Sequence, residues 1–307
     1  MTRRTRLAAL GILLPVALTA ALLVGVSKSA DAAQAGRCGT VFDDFSYGST
    51  TDRAFAGNGW SVRTNPGGPG AGGWSAGNVS IQTIDGQRAL QLSATTDGTS
   101  RGTTQAEVSL SARRFFEGTY ATRFRFSDRP VSGNDGDHVN QTFFAISPLA
   151  RDWDPKYSEL DFSEYLPNGG WGTSGQVNYI TSWNTYQAEP FDGYRRSTAL
   201  PGSHNGWHDL LAQVSGGHVK YFIDGKLVAD HSDDGKGHVV YPRQAMGLSF
   251  NQWFIDLTGH SGGRSTYTQA ADWVYYAKNE VVTPAEVGNR VRNYRSGKVT
   301  HVDDLSC

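Results

Sequence analysis

The sequence predicts an all-β fold, a jelly-roll sandwich of two packed antiparallel sheets, on three observations. Apolar residues recur at period two, Gly (37 residues) and aromatic side chains (11% of 307 residues) are frequent, and long runs with helical apolar spacing are missing. Strands that follow one another at short intervals, with no helices between them, can bury their apolar faces only against a second sheet. A chain of this length can do so within one domain.

The first residues read as an export signal. Arg3, Arg4 and Arg6 precede an uncharged apolar run over 7–26, and Ala33-Gln34-Ala35 offers a small-residue cleavage site. An uncleaved anchor is the alternative, because the run is near spanning length, but Pro15 and Gly25 interrupt it. Residues 1–35 are therefore expected to be removed, leaving 36–307 as a single secreted domain, a monomer free of the membrane. Thr2-Arg3-Arg4 loosely resembles a twin-arginine signal, which leaves the export route open. Removal takes away Arg3, Arg4, Arg6, Lys28 and Asp31 and changes the formal net charge from −1 to −4. A mildly acidic chain without a basic cluster argues against nucleic acid as a partner.

The two cysteines, Cys38 and Cys307, stand near the expected mature start and at the last position. In an exported protein they are expected to pair, and no CxxC or Cys/His cluster points to metal instead. A bridge closing so long a loop contributes up to roughly 5 kcal/mol in the chain-entropy account.

Between them the strands announce themselves by alternation over 89–94, 119–126 and 218–223, each bounded by Gly, Asp or Ser. Asp224-Gly225 follows the last of these and precedes Lys226-Leu227-Val228-Ala229, the strongest short hairpin signal in the chain. The Gly- and Pro-rich stretch 64–77 reads as a surface loop. One helix is predicted over 284–297, with Pro284 at an early position, Glu286 in the first turn and Gly297 as the stop, forming a C-terminal strap.

The run Ser158-Glu159-Leu160-Asp161-Phe162-Ser163-Glu164 carries the chemistry. On a strand, positions 159 and 161 share a face, while strict alternation turns 164 away. A one-residue β-bulge between Asp161 and Glu164 would restore it to their side, and bulges are common beside active sites. Leu160 and Phe162 would then point into the core. Three carboxylates on one face repel one another, a cost that an exposed acidic strand or a calcium site could also carry. Retaining glycosidases use such a pair at about 5 to 5.5 Å, one carboxyl as nucleophile and one as acid then base. A third acid between them can tune both.

These residues match the E-x-D-x-x-E motif of the bulged subgroup of glycoside hydrolase family 16, which the sequence resembles. Further segments carry the resemblance in order: Phe42-Asp43-Asp44-Phe45, Phe116-Glu117-Gly118-Thr119-Tyr120-Ala121-Thr122-Arg123, Phe143-Phe144, Tyr221-Phe222-Ile223-Asp224-Gly225-Lys226 and Ala271-Asp272-Trp273-Val274-Tyr275-Tyr276. It spans roughly residues 41–277. It implies a concanavalin A-like jelly roll with a concave cleft, with Glu159 as nucleophile, Asp161 assisting and Glu164 as acid/base. It also implies no cofactor for catalysis, and a structural calcium on the convex side using Asp272. Two departures bear on the substrate: Phe144 stands where β-glucanases often have Trp, and 177–184 lacks a His that many laminarinase-like members carry.

Sugar rings present apolar faces, so a polysaccharide cleft needs aromatics and a few polar groups. Trp153, Trp171, Trp183 and Trp253, with Tyr165 and Tyr179, are the candidates, and Trp171 is favoured because its Gly-rich loop cannot easily bury it. Phe144, Asn251 and His208 complete the substrate-binding set, His208 more as a core or supporting residue than a direct contact.

The expected partner is a β-linked polysaccharide, a 1,3- or mixed 1,3/1,4-glucan cut internally, with galactans or agar and transglycosylation as alternatives. A carbohydrate-binding sandwich that has lost catalysis is a further alternative that fold alone does not exclude, although a binding surface gains little from three repelling acids. Gly259-His260-Ser261-Gly262-Gly263 fits the G-x-S-x-G elbow of serine hydrolases, with His301 and Asp303 further on, but lacks the βαβ surroundings that the elbow needs.

Overall fold

The computed structural model describes residues 38–306. The predicted signal segment and Cys307 lie outside the described residues. In chain order the elements are β1 (Thr40–Asp43), α1 (Arg53–Gly57), β2 (Trp60–Val62), β3 (Gly73–Trp74), β4 (Val79–Ile84), β5 (Gln87–Thr96) and β6 (Thr104–Phe115). Then come β7 (Gly118–Phe126), β8 (Val139–Ile146), β9 (Glu159–Leu166), β10 (Gly169–Gly170), β11 (Thr173–Ser174), β12 (Val177–Gln187) and β13 (Asp192–Pro201). The chain finishes with β14 (Gly206–Ser215), β15 (His218–Ile223), β16 (Lys226–His231), β17 (Met246–Phe254), β18 (Ser265–Lys278), α2 (Pro284–Ser296) and β19 (His301–Asp303).

Two antiparallel sheets result, as the period-two pattern requires. The outer sheet runs β16–β15–β14–β7–β18, and beyond β18 it continues as β5–β4 at one end and β1–β19 at the other. The groove sheet runs β13–β12–β9–β8–β17–β6–β2. A single pairing, Thr95 with Thr104, links β5 of one to β6 of the other.

Aromatic rings fill the space between them. Phe143 of the groove sheet packs on both Phe162 and Phe250, stacked on the latter with centroids 4.8 Å apart, while Phe162 meets Tyr120 and Phe250 meets Phe124 from β7. Because side chains alternate, the neighbours of these core residues point the other way. Phe144, Ser249, Asn251 and Trp253 accordingly line a groove on the far face.

The hairpin predicted at Asp224-Gly225 joins β15 to β16, with both residues at positive φ (50° and 77°) as a type I′ turn demands. The predicted helix is α2. Thr283 caps it by accepting from the Glu286 N–H, and Val287, Val291 and Tyr294 bury one stripe against the outer sheet, Tyr294 stacking on Phe42 at 4.6 Å. Several short elements were not legible, α1 and β3 among them. α1 is a five-residue turn started by Asp52, and the end of the 64–77 loop becomes β3, which pairs parallel with β6.

Candidate active site

The predicted bulge is present. Tyr179 pairs with Glu164 and Thr181 with Asp161, so two steps on β12 oppose three on β9; on the other side Phe143 pairs with Ser163 and Phe144 with Asp161. The extra residue brings Glu164 back to the face of Glu159 and Asp161, and all three line one groove of about 1500 Å³. Leu160 and Phe162 pack in the core beneath. Buried Asn178 holds the bulge: its side-chain oxygen accepts from the Ser163 hydroxyl (2.9 Å) and from the Glu164 N–H (3.1 Å). A backbone donor that the bulge takes out of the ladder is thereby satisfied.

Each acid has its own donor. The Tyr157 hydroxyl donates to Glu159, the Trp183 indole N–H to Asp161 Oδ2 at 2.9 Å, and the Thr181 hydroxyl to Glu164 Oε2 at 3.1 Å. Burial at the groove floor pushes all three carboxyls up from the usual carboxylate range. For Asp161 the charges of Glu164 and Glu159 push further in the same direction, and for Glu159 the charge of Glu164 does. The donors, together with Arg195 and Asn140 at Glu164, pull back against burial. Interacting carboxyls on one face titrate as a set and not one by one.

Aromatic side chains flank the acids on two sides. Trp171, 48% exposed, sits at the tip of the β10–β11 turn at φ 51°, a backbone region that costs a bulky residue energy. Its ring lies 5.9 Å from Trp253 and 6.2 Å from Tyr179. On the other side Trp183 meets Tyr186 and the exposed Phe191 of the β12–β13 hairpin. Phe144 and Asn251 also line the groove, and Asn251 Nδ2 reaches Glu107 Oε2 at 3.5 Å.

Four expectations are corrected. Trp153 does not line the groove: its ring packs on Tyr194 at 4.9 Å behind the β12–β13 hairpin, where its indole N–H donates to Gln187. His208 stands on β14 of the outer sheet, across the core from the acids, and pairs with Asp224 at 2.7 Å. Asp272 is not an open oxygen ligand for calcium, because Arg295 engages both its carboxylate oxygens (2.7 and 3.0 Å) and Arg123 lies at 3.5 Å. Tyr165 is likewise a core residue, its hydroxyl donating to Asp128.

The G-x-S-x-G match lies in the loop between β17 and β18, with no helix after it. Ser261 contacts Asn134, while His301 pairs with Asp43 and Asp303 with Arg114.

Sequence reasoning missed Tyr157, Asn178, Thr181, Arg195 and the Arg63–Glu107 ion pair (3.0 Å), which also lines the groove. Tyr157 could have been found, since it precedes Glu159 by two positions. Arg195 depends on the β12–β13 register, which no local pattern reveals.

The fold is similar to that of solved jelly-roll sandwiches of glycoside hydrolase family 16. In particular it is similar to the β-glucanase of Bacillus licheniformis (TM-score 0.55, 15% identity, 78% of this chain and 98% of that one). It is also similar to a glycoside hydrolase family 16 endo-glucanase from Bacteroides ovatus (0.55, 15%, 76% and 98%). A third likeness is to LamA from Zobellia galactanivorans in complex with laminaritriose and laminaritetraose (0.54, 14%, 78% and 100%). Identities this low show a shared fold. No protein-family model and no curated protein matches the chain.

Proposed function

We propose that this protein is a retaining, endo-acting glycoside hydrolase that cleaves a β-1,3- or mixed β-1,3/1,4-glucan. One observation carries the reading: a bulge clasped by Asn178 sets three mutually repelling carboxyls on the floor of an open, Trp-lined groove. Burying carboxyls against one another is destabilising, and acid–base chemistry near neutral pH is the use for it.

In this reading the Tyr157 hydroxyl favours the ionised form of Glu159, which attacks the anomeric carbon. Glu164 gives its proton to the departing glycosidic oxygen, and a covalent glycosyl-enzyme forms. Glu164, now ionised, takes a proton from water as that water displaces the sugar from Glu159, restoring both groups. Asp161, held by Trp183, sits between the two and limits how far either charge can spread. An open groove admits a chain along its length, which supports internal cleavage. The glucan assignment is supported by the similar proteins, a β-glucanase and an endo-glucanase among them, and by the laminari-oligosaccharides bound to a third.

Secretion belongs to the same reading, with residues 1–35 as a cleaved signal. So does a disulfide between Cys38 and Cys307: Gly39 N–H donates to the Asp304 carboxylate at 2.9 Å, which holds the residue after Cys38 against a residue three positions before Cys307.

The test is a screen of the purified protein on laminarin, barley β-glucan, agarose, carrageenan and β-galactan, with product sizes measured. Falling viscosity with a ladder of oligosaccharides from a glucan supports the reading. Cleavage confined to a galactan would overturn the substrate, and cleavage of none would overturn the activity.

A further inference from the structure

We propose that Arg195 is the counter-ion of the carboxyl triad, fixing how many protons Glu159, Asp161 and Glu164 share and holding Trp183 against Asp161. In the β12–β13 register Arg195 stands directly across from Trp183, and on the other side of Trp183 stands Glu159. The guanidinium lies over the Trp183 ring, 4.7 Å from its centroid, and 5.6 Å from that of Phe191. The same indole donates to Asp161 at 2.9 Å. Arg195 thus clamps the ring from above while the ring's polar edge reaches the central acid.

The charges around the triad are unequal. Tyr157 and Tyr186 face it from the Glu159 side, Thr181 and Trp183 from β12, Asn140 from β8, and Tyr221 from the outer sheet below Asp161. All of these are neutral near pH 7. Asp192 at the groove edge adds negative charge, Arg63 is engaged by Glu107, and Arg113 stands on β6, with β9, β8 and β17 between it and β12. Among the described residues that line the groove, Arg195 is the cation placed on the Trp183 ring that donates to Asp161, and its positive charge lowers the Asp161 and Glu164 carboxyls against burial. A guanidinium suits this role, since it keeps its charge at any working pH and its flat face can rest on an indole. Without it, repulsion among three acids would favour a second shared proton near neutrality, and the nucleophile would spend less time ionised.

What the protons are for rests on the hydrolase reading; the charge relation does not. The experiment is a carbon-13 NMR titration of the Asp and Glu side-chain carboxyls in the full protein, comparing wild type with Arg195→Gln and Arg195→Lys. In Arg195→Gln the buried carboxyls are expected to titrate higher by about 1 pH unit. Arg195→Lys, which keeps the charge, should stay near wild type. With a substrate in hand, both limbs of the kcat/KM profile of Arg195→Gln should move to higher pH by a similar amount. Superimposable carboxyl titrations in wild type and Arg195→Gln would overturn the proposal. A failed hydrolase reading would show separately, as no turnover by wild type.

Discussion

Asp161 and Glu164 face the same groove although three positions separate them on β9, because that strand carries one residue more than either neighbour between them. In a regular strand they would lie on opposite faces, one towards water and one in the aromatic core. The bulge is therefore what makes a catalytic arrangement available to this sequence.

Its clasp is open to test. Asn178→Leu leaves the Glu164 N–H and the Ser163 hydroxyl without their buried acceptor, and should cost about 1–3 kcal/mol of stability by chemical denaturation. Activity should fall more than unfolding explains, because a β9 that closes the bulge turns Glu164 from the groove. Unchanged activity in a folded variant would separate the clasp from function.

Replacing the acid should trade activity for stability. Glu164→Gln is expected to lose about 10²–10⁴-fold in kcat. Since burial raises the folded-state carboxyl above its unfolded value, that group costs nothing below the ordinary carboxylate range and more as pH rises through neutrality. The variant's melting temperature should therefore match wild type near pH 4 and exceed it at pH 8, by the equivalent of about 1–2 kcal/mol. A constant difference across pH would contradict the buried-charge account.

His231 sets an opposite pH dependence. It is buried between the sheets, with Ser182 at 3.0 Å on one ring nitrogen and Thr198 at 2.9 Å on the other. Burial, aided by the charge of Arg196, lowers its pKa to about 4. Its contribution is complete above the unfolded value near 6.5 and is lost as pH falls from there towards 4, by up to about 3 kcal/mol. Urea unfolding at pH 4.5, 5.5 and 7 should show this acid limb in wild type, and Asn or Gln at 231 should flatten it.

Trp171 pays for a left-handed backbone to hold its ring over the groove. Trp171→Ala should raise KM for long glucans several-fold while leaving thermal stability within about 0.5 kcal/mol. Trp171→Gly should relax the turn and lose the same binding.

The fold class, the hairpin at Asp224-Gly225 and the strap helix were legible because each rests on local chemistry: alternation, a type I′ dipeptide, a Pro start and a Gly stop. The acids and their bulge were legible because the spacing of Glu159, Asp161 and Glu164 conflicts with a regular strand. What failed depended on which sheet a residue joins. Trp153 and His208 are residue types suited to a sugar cleft, yet a loop carries one behind a hairpin and β14 carries the other to the opposite sheet. Asp272 was read without Arg295, twenty-three positions away on a helix, which neutralises it. Arg195 and Asn178 matter through cross-strand pairing, and a single sequence does not display register.

The most direct test of the central claim is to trap the intermediate. Incubation with an activated 2-fluoro β-gluco-oligosaccharide, followed by digestion and mass spectrometry, should find one sugar adduct on the peptide bearing Glu159, absent from Glu159→Gln. An adduct on Glu164 or elsewhere, or a first-formed product of inverted anomeric configuration, would contradict the account.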